Sequence, residues 1–177
     1  LERGESPLGR QEPLRVFWVT PPTDASLITL LEDLGGCVAG TEYLISHAFL
    51  PLSTAKDPVA AVAENHLDDC MTGTQQFRAA RIVEGARAAG AEGVLITGIS
   101  GASHCPWDEK TVTDAVTAEL GIPVLSFDVP FSPGRYSEQV VNRMQGFMEL
   151  LASRRNSRVS LGSFSVDLPP ESPEDPF

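Results

Sequence analysis

The sequence predicts an α/β domain: an open doubly wound, Rossmann-like parallel sheet of about four strands flanked by helices. Short runs such as LRVFWV, CVAG, GVLIT and VLSF are β-rich and lack clean polar alternation. That is the pattern of parallel strands buried on both faces. Segments with apolar residues at helical spacing separate these runs, as crossover connections require. A chain of 177 residues that is 42% hydrophobic and 21% charged suits one domain with a substantial core.

In order along the chain, Leu14–Val19 is the first strand, stopped by Thr20, Pro21 and Pro22. A helix follows with Leu27, Leu30, Leu31 and Leu34 on one face, Thr23 or Asp24 as its cap and Gly35 as its breaker. Cys37–Gly40 is the second strand, and the apolar stretch Thr41–Thr54 that follows should cover the core or a ligand. Asp57–Leu67 is helical with Pro58 at the first position. The helix Gln75–Ala89 directs Phe77, Ala80, Val83 and Ala86 inward, which leaves Arg78 and Arg81 on its polar side as solvated charges. Gly93–Thr97 is a strand buried on both faces. After the loop Gly98–Asp108, the helix Glu109–Leu120 turns Val112, Ala115, Val116 and Leu120 inward. Val124–Phe127 is the fourth strand, and the helix Tyr136–Leu151 carries the stripe Val140, Met144, Phe147, Met148 and Leu151. The domain therefore spans residues 14–153, with a flexible segment at 1–13 and a polar, acidic tail at 154–177.

The composition excludes several classes. A formal net charge of −11 disfavours nucleic acid as a partner. No apolar run approaches the roughly 20 residues of a membrane span. Cys37, Cys70 and Cys105 are too scattered for a disulfide framework, so a reducing, cytoplasmic setting is expected. Their spacing also argues against zinc, and no phosphate-binding glycine motif follows the first strand. The first residue is Leu rather than Met, consistent with a fragment or a processed chain.

In open α/β sheets ligands bind beyond the carboxyl ends of the strands. The segments expected there are Thr20–Asp24, Gly40–His47, Gly98–Asp108 and Asp128–Tyr136. The loop GISGASHCPWDE is the richest. Gly98 and Gly101 admit close backbone approach, and Ser100, Ser103, His104 and Cys105 bring hydroxyl, imidazole and thiol groups to the start of a helix. A cysteine there tends toward the thiolate, the form that binds iron or attacks an electrophile. The alternative is a small buried Cys105 and a surface His104. Neighbouring residues point apart, so Cys105 as a nucleophile would need a distant base such as His47 or His66. GISGA is not a nucleophile elbow, because Ala102 stands where that motif needs Gly. In FSPGRYSE, Arg135 and the backbone N–H groups suit a phosphate or carboxylate, or else Ser132 or Ser137 simply caps the helix. Asp128, Glu42 and His47 can serve a ligand or a neighbouring backbone group.

The order of these pieces is familiar. The stretch AEGVLITGISGASHCPWDEKTVTDAVTAELGIPVLSFDVPFSPGRYSEQVVNRMQGFMELL, with RVFWVTPP, the G-G-x-V-x-G strand and the R-x-x-R-I segment upstream, resembles the C-terminal half of the 2-hydroxyacyl-CoA dehydratase family, which includes benzoyl-CoA reductase subunits. The resemblance spans roughly Leu14 to Leu151. It implies a [4Fe–4S] cluster held by three cysteines between two Rossmann-like halves. It also implies radical dehydration or reduction of an acyl-CoA thioester, a second related subunit and an ATP-dependent activator protein. On that basis Cys105 is the iron ligand, Ser103 and His104 are catalytic, and Ser100, Gly101, Glu42 and Arg135 bind substrate. Gly40–Leu44 lacks the cysteine often found there in the family, and Cys105 lies farther from the GV-strand than usual. Those departures keep two other readings in view: a non-catalytic partner subunit that has lost the cluster, and a small-ligand-binding α/β module.

Overall fold

The structure, a computed structural model, describes residues 12–20, 25–42, 52–69, 72–99, 108–129 and 137–162. The elements are β1 (Leu14–Val19), α1 (Ser26–Asp33), β2 (Gly36–Glu42), α2 (Pro58–Leu67), α3 (Gln75–Ala88), β3 (Gly93–Ile99), α4 (Glu109–Leu120), β4 (Val124–Val129) and α5 (Glu138–Gly162). The strands form a four-stranded sheet of order β2-β1-β3-β4. Every pairing is parallel. The α/β expectation holds, and the chain reverses its direction of strand addition between β1 and β3.

Strand alternation sorts side chains into two cores. Leu14, Val16, Trp18, Leu95, Phe127 and Val129 pack against Leu27 and Leu31 of α1 and the α5 stripe Val140, Met144, Phe147, Met148 and Leu151. On the other face Phe17, Val19, Val94 and Ile96 meet Ala79, Ile82, Val83 and Ala86 of α3 and Val112 and Val116 of α4. The α5 stripe is the one the sequence predicts.

The helix α3 differs from its predicted orientation. Arg78, Ala79, Ile82, Val83 and Ala86 are buried, whereas Phe77 is half-buried and Ala80 exposed. The face is turned by about one residue, or ~100°. Phe17 supplies the cause. A Cβ added at Gly85 would stand 2.9 Å from the Phe17 ring, and so would one at Gly40. The ring therefore packs against two glycines, and α3 rotates to present Gly85 to it.

Chain punctuation follows local chemistry. Asp57 caps α2 by accepting from the N–H groups of Val59 and Ala60, with Pro58 at the first position. Thr74 caps α3 through the Phe77 N–H. The left-handed backbone that ends α1 falls on Gly35 (φ 82°) and that ending α4 on Gly121 (φ 62°), where a Cβ would be strained. The first helix begins at Ser26 after an uncapped Ala25. The expected caps, Thr23 and Asp24, lie outside the described residues. Only Ala61 of α2 is buried, and Val59, Val62 and Leu67 stay exposed.

The helix α5 runs to Gly162, past the expected domain edge at 153. Arg155 explains the extension. Its Nε donates to Glu92 Oε1 at 2.6 Å, its Nη1 to the Glu12 carbonyl at 2.7 Å and its Nη2 to the Pro13 carbonyl at 2.8 Å and to Glu92. One side chain thus fastens α5 to the entries of β1 and β3. Of the expected ends at 1–13 and 154–177, residues 1–11 and 163–177 lie outside the described residues.

Burial raises the pKa of the Glu92 carboxyl, but hydrogen bonds from Arg155 and from the Arg15 N–H outweigh it and hold the group below its ordinary 4.5. A depressed folded value stabilises the fold above about pH 4.5, and the contribution disappears as pH falls through that value. Glu92→Gln is therefore less stable than the parent at pH 7, with the gap narrowing toward pH 3 in denaturant titrations. Gly85→Leu forces the Phe17 ring out of its seat and lowers the unfolding free energy by about 1–3 kcal/mol, measured the same way.

Candidate functional site

The carboxyl ends of β1 and β3, where strand order reverses, form the switch point at which open α/β sheets take ligands. Trp18 is buried there and its Nε1 donates to Thr97 Oγ1 at 3.0 Å. The Thr97 hydroxyl in turn donates to the Thr20 carbonyl. Thr20 has φ 57°. A β-branched residue in the left-handed region costs about 1–3 kcal/mol and persists only where its surroundings over-determine it. Here they do, since the Thr20 N–H also donates to the Glu42 carbonyl at 3.0 Å.

Beside it lies a buried ion cluster. Arg78 Nε donates to Glu42 Oε1 at 3.1 Å and Nη2 to Glu42 Oε2 at 2.9 Å. Nη1 donates to Asp108 Oδ2 at 3.0 Å. Nη2 also points to Thr20 Oγ1 at 3.5 Å, the long limit of a hydrogen bond. Arg78 and Glu42 expose only 7% and 8% of their surface. Burial alone would depress the guanidinium pKa, but the two carboxylates outweigh it and raise it, so Arg78 stays charged. This corrects the expectation of a solvated Arg78. Arg81, which pairs with Glu84 at the surface, fits that expectation.

A register shift puts Glu42 in this position. Val16 pairs with Val38 and Phe17 with Gly40, which leaves Ala39 as an extra residue in β2. Before the bulge, even-numbered residues of β2 face α1 and α5, as Gly36 does against Met148 and Leu31. After it they face α3. A bulge re-aims side chains in this way, and it is why strict alternation along CVAGTE misplaces Glu42.

Glu42, expected to bind substrate, gives both carboxylate oxygens to Arg78. Ser100, Gly101, Ser103, His104, Cys105 and Arg135 lie outside the described residues. So do His47, Cys70 and Ser132. The residues on either side of the Ser100–Trp107 stretch are described. At its start Gly98 and Ile99 pair with Asp128 and Val129, and a Cβ at Gly98 would collide with the Asp128 carboxylate. At its end Asp108 leads into α4 with helical backbone (φ −95°, ψ −10°) and makes no cap hydrogen bond; its carboxylate accepts from Arg78. In FSPGRYSE, Ser137 caps α5 as one of its two readings expects, accepting from the Val140 N–H at 3.4 Å through Oγ.

Of the three cysteines, only Cys37 lies among the described residues. Cys37 is the second residue of β2 and pairs with Arg15, the second of β1, so it sits at the amino edge, opposite the switch point. Burial pushes its thiol pKa up, against the pull of Arg15 and with that of Glu92. That environment disfavours the thiolate a metal needs. Among the described residues no group of three His, Cys, Asp or Glu could hold a metal ion. These residues do not fit a [4Fe–4S] cluster. A depression of about 610 Å³ opens at the amino edge between Pro13, Gly36 and Arg155, but the donors of Arg155 are already engaged there.

The fold and edge define a doubly wound α/β domain with a charged, strain-bearing switch point, a class that binds ligands beyond its carboxyl edge. Within that class the family model described as 2-hydroxyglutaryl-CoA dehydratase, D-component, matches residues 1–151, and the chain belongs to this family. The description places it among the components of a multi-component dehydratase. No curated protein matches the chain. No helix among the described residues is long and apolar enough to cross a membrane.

Arg78→Met removes the buried guanidinium that faces the Glu42 and Asp108 carboxylates and costs about 3–5 kcal/mol of stability. Arg81→Met, at the surface, stays within about 0.5 kcal/mol of the parent. Urea denaturation of the two variants checks the contrast.

Proposed function

We propose that this chain is the substrate-facing α/β part of a 2-hydroxyacyl-CoA dehydratase-type subunit, acting with a second related subunit and an ATP-dependent activator protein on an acyl-CoA thioester. The observation that carries the reading is the family match over residues 1–151 on a sheet whose switch point adjoins the Gly98–Asp108 segment. On this reading Ser100, Gly101 and Arg135 bind the thioester or its phosphates. Ser103 and His104 handle protons, and Glu42 shapes the edge through Arg78. Cys105 is the thiolate this chain contributes to a [4Fe–4S] cluster, with the remaining ligands supplied from outside it. The cluster, when bound, supplies one-electron chemistry for dehydration or for benzoyl-CoA reductase-like reduction.

The position of Cys37 favours a second reading, in which the chain is a non-catalytic partner without a cluster. Anaerobic purification with iron and sulfide analysis separates the two. Under the first reading the parent carries iron and sulfide, Cys105→Ser loses most of both, and acetyl-CoA binding is measurable by calorimetry. An iron-free parent that captures a cysteine-complete subunit supports the second reading and removes the first.

A further inference from the structure

We propose that Arg78 is a positioning residue for the edge at which the acyl-CoA thioester would bind. It ties three of the segments that border that edge to one buried guanidinium. The contacts fall one per segment: Thr20 where β1 ends, Glu42 where β2 ends, and Asp108 where the Ser100–Trp107 stretch joins α4.

Three observations point beyond a merely structural ion pair. A buried charge cluster is weak evidence for stability, since apolar residues of similar volume often serve as well or better, whereas fixed geometry is a use they cannot reproduce. Asp108 already has helical backbone at the start of α4 (φ −95°, ψ −10°), and it turns its carboxylate onto the buried Arg78 guanidinium. That contact fixes the entry of α4 against the sheet. Finally, the cluster reaches strained Thr20 and depends on the β2 bulge. Both features recur where backbone is held for function.

The inference rests on the proposed function only for the identity of the ligand. Its test uses the full chain and two substitutions at Asp108, which spare the Arg78–Glu42 pair. Asp108→Ala removes the acceptor, and Asp108→Asn keeps an oxygen that can accept from Nη1. Hydrogen exchange is followed in a peptide spanning Gly98–Thr111, with α5 as the control, and acetyl-CoA binding is measured alongside. In Asp108→Ala the Gly98–Thr111 peptide should exchange roughly tenfold faster, the change expected on losing one charge-assisted hydrogen bond, while α5 stays as in the parent. Asp108→Asn should remain near the parent. Unchanged exchange at Gly98–Thr111, or equal acceleration in α5, would overturn the proposal. Selective acceleration with no acetyl-CoA binding by the parent supports the positioning role and counts against the acyl-CoA reading alone.

Discussion

One buried guanidinium organises the carboxyl edge of this sheet. Arg78 carries a single positive charge, and Glu42 and Asp108 bring two negative ones to it within hydrogen-bonding distance. At 7% exposure a lone arginine would be costly to bury. The two carboxylates offset that cost, and each is held by a different part of the chain. The three elements must therefore meet in one arrangement for any of the three charges to be tolerated. The consequence lies at the level of geometry more than of net stability: the ends of β1 and β2 and the start of α4 are set relative to one another by fork-shaped, directional contacts.

That arrangement rests on backbone features upstream of it. The extra residue Ala39 flips the parity of β2, so that Gly36 serves the α1/α5 core while Gly40 and Glu42 face α3. Gly40 then admits the Phe17 ring, the ring meets Gly85 on α3, and the resulting rotation of α3 turns Arg78 inward toward Glu42. Bulge, ring seat and ion cluster are consecutive steps in one packing chain. An alanine-sized change at Gly40 or a lost residue at position 39 would be felt at Arg78, although neither touches it.

Much of this was legible in the sequence, and the misses share a cause. Strands without alternation and the stripe from Val140 to Leu151 describe the buried sheet and its α5 cover because apolar burial is read directly from periodicity. Pro58 and Gly35 signal element ends because their backbone preferences are local. Arg78 was not legible as buried, because the helical pattern Phe77, Ala80, Val83, Ala86 is nearly as good as the true face. What separates the two faces is the distant Phe17 ring. The reach of α5 to Gly162 escaped notice for the same reason: RRNSR reads as polar tail until Glu92, Glu12 and Pro13 are seen to receive Arg155. Of the candidate site, the segments were legible from topology, and the Arg78 cluster that joins them was not. A charged residue on an apolar flank, with acids at two predicted strand or helix ends, is the signal that could have found it.

The two edges of the sheet divide the chemistry of the chain. At the amino edge Glu92 accepts from the Arg15 N–H and from the Arg155 guanidinium, which ties the starts of β1 and β3 to α5. Cys37 belongs to this edge, and its thiol is pushed toward the neutral form. Four residues of β2, one of them the bulged Ala39, separate it from Glu42, and the matching span of β1 from Arg15 to Val19 is about 13 Å at the rise of a parallel strand. A thiol at that distance from the switch point cannot share a metal with one near it. Of the chain's cysteines, Cys37 is thus structural, and a three-thiolate site at the carboxyl edge would need ligands from beyond this chain even if both Cys70 and Cys105 took part. Incomplete ligand supply is what a component of a larger dehydratase would show if its reactive centre formed between bodies, with Arg78 holding this side of that junction in register.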